Sequence, residues 1–211
     1  MIYAENILLC IAVPLALSLF FLRGPVRRFV LSFLAGMGVC LVAAYISGFI
    51  NFASGMGEEE TAVFISPIVE EIMKLLPLLF VLFAFAPDDE AFLSVSIGIG
   101  AGFATFENCC YILASGSESL SYILIRGLAV GVMHIVSVTA VSFALTLARR
   151  FKMLTFAGIA GALTISMMFH ALYNLLVSRP GVSSYIGYAL PLLAASGMYA
   201  AYHTAMKKNS G

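Results

Sequence analysis

The sequence predicts an all-α fold: a polytopic integral membrane bundle of about seven transmembrane helices, N-terminus outside and C-terminus cytoplasmic. Three observations predict it. Of 211 residues, 62% are apolar and 10% charged, where a soluble domain is about half apolar and a quarter charged. Mean hydropathy is +1.03. The apolar residues gather into stretches of about 20, the length that crosses a bilayer. Eleven basic and eleven acidic residues cancel, so no basic surplus exists for nucleic acid, and none is expected as a partner. The lipid bilayer is. Residues 1–211 read as a single membrane-embedded domain.

The first stretch, 6–22, has no basic region before it and no convincing cleavage site, so it reads as a retained helix. The second, 29–51, is uninterrupted. The third, 61–86, is broken by Glu70, Glu71 and Lys74 and bracketed by Pro67 and Pro77. Stretches 91–114, 122–147, 153–177 and 185–205 complete the set. Arg23, Arg27 and Arg28 follow the first; Arg149, Arg150 and Lys152 follow the fifth; Lys207 and Lys208 follow the seventh. With seven spans these clusters share one side, which the positive-inside rule makes cytoplasmic. Asp88, Asp89 and Glu90 fall on that side too.

Small residues mark expected helix contacts: Ser94, Gly98 and Gly102 on the fourth span, Gly127 and Gly131 on the fifth. Such stripes let backbones approach closely. Cys10, Cys40, Cys109 and Cys110 lie inside apolar runs and read as small hydrophobes, not as a disulfide or zinc framework.

Seven ionisable residues interrupt the apolar spans: Glu70, Glu71, Lys74, Glu107, Arg126, His134 and His170. A charged residue at the centre of a span costs roughly 2.5–3.5 kcal/mol, and such residues face a bundle interior or a wet cavity. Glu70-Glu71-Ile72-Met73-Lys74 lets the lysine reach either carboxylate on a helix. It is either a structural ion cluster or a reactive site. Pro67 and Pro77 each remove a helix hydrogen bond, which is tolerated at membrane depth where backbone lines a cavity or is buried in protein. Glu107 shares a face with Tyr111. Arg126 either snorkels or pairs with an acid. His134 stands alone on an apolar helix. His170 and Asn174, four apart, share a face and could hold an oxyanion or serve as interhelical glue. His203 sits near the end of the last span and is left out of the site. Carboxylate, imidazole and amide are the inventory for activating water. Carboxylate and imidazole also bind zinc.

This motif set resembles that of the PrsW family of bacterial intramembrane proteases, relatives of the CAAX-prenyl endopeptidases and of bacteriocin-processing and immunity proteins. The likeness rests on E-E-x-x-K at Glu70, Glu71 and Lys74, on Phe106-Glu107-Asn108 with Tyr111, on His134, and on His170-x-x-x-Asn174. It covers residues 61–177, the motif core. The resemblance implies a glutamate-dependent endopeptidase in a bacterial cytoplasmic membrane. It would cut a membrane protein or peptide, such as a membrane-anchored anti-sigma factor.

Its catalytic set would be Glu70, Glu71, Lys74, Glu107, His134, His170 and Asn174. Glu70 or Glu71 would be the general base. Lys74 would hold the second carboxylate or tune the first. His134 would orient water or protonate the leaving amine, and His170 with Asn174 would hold the oxyanion. No cofactor is certain; a divalent metal such as zinc is the candidate, with Glu107, His134 and His170 as its candidate ligands. Two other classes use the same residues: a proton-coupled transporter, and a non-enzymatic scaffold or immunity protein in which they only join helices.

Overall fold

A computed structural model describes residues 4–115, 119–150 and 155–209. Lys152 lies outside the described residues, as do the side chains of Arg150, His203, Lys207 and Lys208. The described residues form helices joined by short links: α1 (Ala4–Ser18), α2 (Gly24–Ser54), a single turn α3 (Glu58–Glu60), a π-helical segment (Thr61–Ile65), α4 (Ser66–Phe85), α5 (Asp89–Ser115), α6 (Leu120–Arg150), α7 (Thr155–Val177) and α8 (Val182–Asn209). Every predicted stretch overlaps a helix among the described residues. Four helices among the described residues, α2, α5, α6 and α7, are long and apolar enough to cross a membrane. The first stretch is shorter than expected. Its helix has 15 residues and ends at Ser18, roughly 22 Å against a hydrocarbon core of about 30 Å. The Tyr45 hydroxyl donates to Glu5 and ties α1 to α2.

The two prolines of the third stretch act differently. Pro67 follows the π segment, where the Ser66 N–H bonds Thr61 O, five residues back. Proline lacks an N–H, and its ring crowds the carbonyl four residues before it; the wider turn upstream accommodates both effects. Pro77 lies inside α4, which continues to Phe85. The expected double break is thus one π turn. α4 closes at Ala86 in a left-handed conformation, φ 42°, and Pro87 stops further helix. Asp88 Oδ1 then accepts the Ala91 N–H at 2.7 Å, which caps α5. Arg149 donates to Pro87 O at 2.9 Å and to Asp89 Oδ1 at 3.1 Å. This pins the end of α6 to the start of α5 and brings Arg149 beside the acidic run.

α5 is the central rod, and glycines make it so. A methyl on Gly102 would overlap the Phe33 carbonyl, and one on Gly36 the Ile99 carbonyl. On the opposite side, a methyl on Gly100 would lie 2.8 Å from Ile135 Cα and 2.9 Å from His134 O. α2 and α6 therefore lie directly against the α5 backbone. Gly127 and Gly131 face open space, so the expected second stripe makes no such contact in this fold. Replacing Gly102 with alanine is expected to destabilise by about 1–3 kcal/mol, because the backbones must separate. Gly127→Ala is expected to stay within about 0.5 kcal/mol of the parent. Thermal unfolding in detergent reads both, and equal effects would contradict the packing described.

Three buried clusters surround the polar residues. Leu78, Leu82, Phe92, Val95, Ile99 and Val138 join α4, α5 and α6 toward the Arg149 end. Met37, Cys40, Phe103 and Phe106 join α2 to α5. Ala104, Val130, Met133 and Tyr173 join α5, α6 and α7. Outside, large apolar side chains such as Phe49, Phe80, Phe83 and Phe156 are exposed. That pattern suits hydrocarbon, where backbone groups must be satisfied internally and apolar side chains need no cover.

Candidate active site

The polar residues of α4, α5, α6 and α7 converge between those clusters. Glu71, Lys74, His134 and His170 are each no more than 2% exposed. Burying an ammonium is tolerable only with full pairing, and Lys74 has it. Its Nζ donates to Glu71 Oε1 at 2.5 Å, to His134 Nδ1 at 2.9 Å and to Ser137 Oγ at 3.2 Å. The sequence left two partners open for Lys74; the structure gives it Glu71, three residues back, not Glu70. Phe103 offers its ring face 4.9 Å from Nζ.

These contacts fix the histidine tautomers. An ammonium can only donate, so His134 Nδ1 accepts. The proton then sits on Nε2, which donates to Glu107 Oε2 at 2.5 Å. His170 Nδ1 lies 3.0 Å from Glu71 Oε1, and a carboxylate can only accept, so Nδ1 carries the proton. His170 Nε2 faces Glu70 Oε2, 3.7 Å away; in the neutral ring it turns a lone pair there. That Glu70 oxygen is buried and has no hydrogen-bond partner among the described residues. The two imidazoles meet edge to face, centroids 5.0 Å apart.

A buried carboxylate oxygen and a ring nitrogen facing each other across 3.7 Å call for a proton or a cation between them. One ligand atom each from Glu70, His134 and His170 lies within 4.8 Å of the others. Two histidines and a glutamate are a known donor set for catalytic zinc. Glu71 on His170 Nδ1 and Glu107 on His134 Nε2 stand where a metal centre's outer carboxylates orient its histidines. The residues fit a divalent metal on those grounds. Lys74 would have to release His134 Nδ1 for that nitrogen to ligate. Glu107, a ligand candidate from sequence, lies on the far face of His134 and outside this trio.

The remaining expectations divide. Arg126 does pair with an acid: its Nη2 lies 3.4 Å from Glu107 Oε1, and its guanidinium stacks on Tyr111, 3.4 Å from the ring centre. Tyr111 shares a hydrogen bond with the Tyr122 hydroxyl; Glu107 turns to His134 and Arg126. Asn174 Nδ2 donates to Ala62 O in the π segment at 2.8 Å, so the amide that could face an oxyanion also ties α7 to the π turn. His170 has both nitrogens directed at glutamates, which leaves it no free oxyanion donor. Sequence reasoning missed Ser137 and Ser166. Ser137 meets Lys74, and its carbonyl accepts from Ser166 Oγ at 3.1 Å. Their spacing, three after His134 and four before His170, was the available signal. All four cysteines are free, with Cys40 buried and Cys10 exposed.

The family model described as PrsW family intramembrane metalloprotease matches residues 24–200, which include all seven candidate site residues. No curated protein and no solved structure matches the chain.

Proposed function

We propose a function from one premise: the chain belongs to the PrsW family of intramembrane metalloproteases. It is a membrane-embedded hydrolase of peptide bonds. Our reading is that it cuts a membrane-anchored protein, of the anti-sigma-factor kind, within a bacterial cytoplasmic membrane. The N-terminus lies outside, the Arg149 end is cytoplasmic, and cleavage occurs in the outer half. The observation that carries this reading is the buried Glu70 Oε2, without a hydrogen-bond partner among the described residues, facing His170 Nε2 within the polar cluster.

In this mechanism Glu70, whose Oε2 has no hydrogen-bond partner among the described residues, takes a proton from the attacking water and returns it to the leaving amine as the carbon–nitrogen bond breaks. Glu71, held by Lys74, orients His170 beside it. Lys74 balances the charge of Glu71 and keeps its oxygen on His170. His134, held by Glu107 at Nε2, orients the reacting water through Nδ1 once Lys74 releases that nitrogen. Asn174 has a second amide N–H besides the one bonded to Ala62, and this donates to the oxyanion. Glu70, His134 and His170 would hold a divalent metal, which when bound supplies a Lewis acid that activates water.

The test is cleavage of a membrane-anchored substrate by purified protein in liposomes. Glu70→Gln, Glu71→Gln, His134→Ala and His170→Ala are each expected to abolish it; full activity in all four would remove the proposed site. The metal is tested apart. Elemental analysis is expected to find about one divalent ion per chain, lost with His170→Ala. Activity undiminished by chelators, with no stoichiometric ion, would reject the metal and leave Glu70 standing as the base.

A further inference from the structure

We propose that Arg126 is a positioning residue. It locks Glu107, and through Glu107 the ring of His134, in the orientation the site requires.

Glu107 is the least enclosed member of the network, its side chain 30% exposed. A glutamate held at one oxygen still rotates about its terminal torsion. Here both oxygens are taken, and from the same helix: Oε2 by His134 and Oε1 by Arg126. The two residues are eight apart on α6, roughly two turns and 12 Å of rise, and they grip one α5 carboxylate from either end. Arg126 is itself held, because its guanidinium carbon sits over the Tyr111 ring, 3.4 Å from its centre, and the Tyr111 hydroxyl is hydrogen-bonded to that of Tyr122.

Ion pairing alone does not account for this arrangement. The Arg126–Glu107 contact is long, at 3.4 Å, so it offsets only part of the cost of the two charges. The Arg126 Nε is buried without a hydrogen-bond partner among the described residues, which is a cost. What the contact does accomplish is to aim Oε2 at His134 Nε2. The tautomer is set by Lys74 at Nδ1; the aimed carboxylate holds the ring in the plane that keeps Nδ1 turned toward Lys74 and the trio.

The test reads His134 directly. The chain has three histidines, so histidine-selective ¹⁵N labelling gives a sparse spectrum. The His134 Nε2–H proton, bonded to a carboxylate, is expected far downfield. It should move upfield in Glu107→Gln and in Arg126→Met, while His170 keeps its wild-type signals and reports an intact fold. Tyr111→Leu removes the platform without touching the charge and should give a smaller shift in the same direction. Arg126→Lys should fall between, since a lysine keeps the charge but loses the planar fork.

The kinetic arm rests on the peptidase reading. Arg126→Met should lower kcat about tenfold, the order seen for outer residues that orient a histidine, with KM unchanged. It should have no further effect in a Glu107→Gln background. A His134 proton at its wild-type position in both Arg126→Met and Tyr111→Leu would overturn the proposal. So would a raised KM with kcat intact, which would make Arg126 a substrate contact. A wild-type protein that cleaves nothing would instead defeat the peptidase reading, and the His134 spectrum would still decide the positioning role.

Discussion

Cleavage by the Glu70→Gln protein is expected to fall by about 10²–10⁴-fold, the range that a positioned acid–base group supplies. Its thermal midpoint should stay close to the parent's. The contrast follows from what Glu70 touches. Its Oε2 has no hydrogen-bond partner among the described residues and faces His170 Nε2, so the substitution breaks no bond made by that oxygen. Glutamine fills the same volume, and its amide can donate to His170 Nε2, closing the gap with a neutral hydrogen bond. What disappears is the negative charge that would receive a proton or bind a cation, so metal content should fall together with activity. A Glu70→Gln protein that cleaves within threefold of wild type, with its metal retained, would show that this carboxylate is not at the reacting centre.

The helices were legible because hydrocarbon imposes one rule on every span, and apolar runs of about 20 residues carry it plainly. The candidate residues were legible for the converse reason: a charge inside such a run is costly enough to need an explanation. Partner choice was not legible. Spacing allowed Lys74 to reach Glu70 or Glu71, and only the position of His134 and Ser137 on another helix selects Glu71. The same limit hid Asn174's bond to the π turn, because a one-residue change of helical register leaves no sequence period to read. Gly102 and Gly127 look alike in sequence, yet only Gly102 meets another backbone. Which face of a helix meets a neighbour depends on rotation about its axis, and in lipid both faces are apolar.

Lys74→Met should destabilise the protein by about 3–5 kcal/mol, the effect of stripping one partner from a buried ion pair. Glu71 would be left 2% exposed with its cation gone and only the His170 N–H to satisfy it. Glu71→Leu should do comparable damage by stranding the ammonium against His134 and Ser137. The double variant Glu71→Leu/Lys74→Met removes both charges and replaces them with apolar volume, and such replacements are often neutral or stabilising. It should recover most of the lost stability, so that the cycle gives a strongly favourable coupling between the two side chains. It should nevertheless be inactive, because His170 has lost the carboxylate that holds its Nδ1. Stability and activity then part in opposite directions at one ion pair, which is the mark of a pair held for chemistry. Unfolding in mixed micelles with a cleavage assay on the same samples measures both. Additive losses in the double variant would mean that Lys74 and Glu71 are stabilised independently, and recovered cleavage would mean that the pair serves the fold alone.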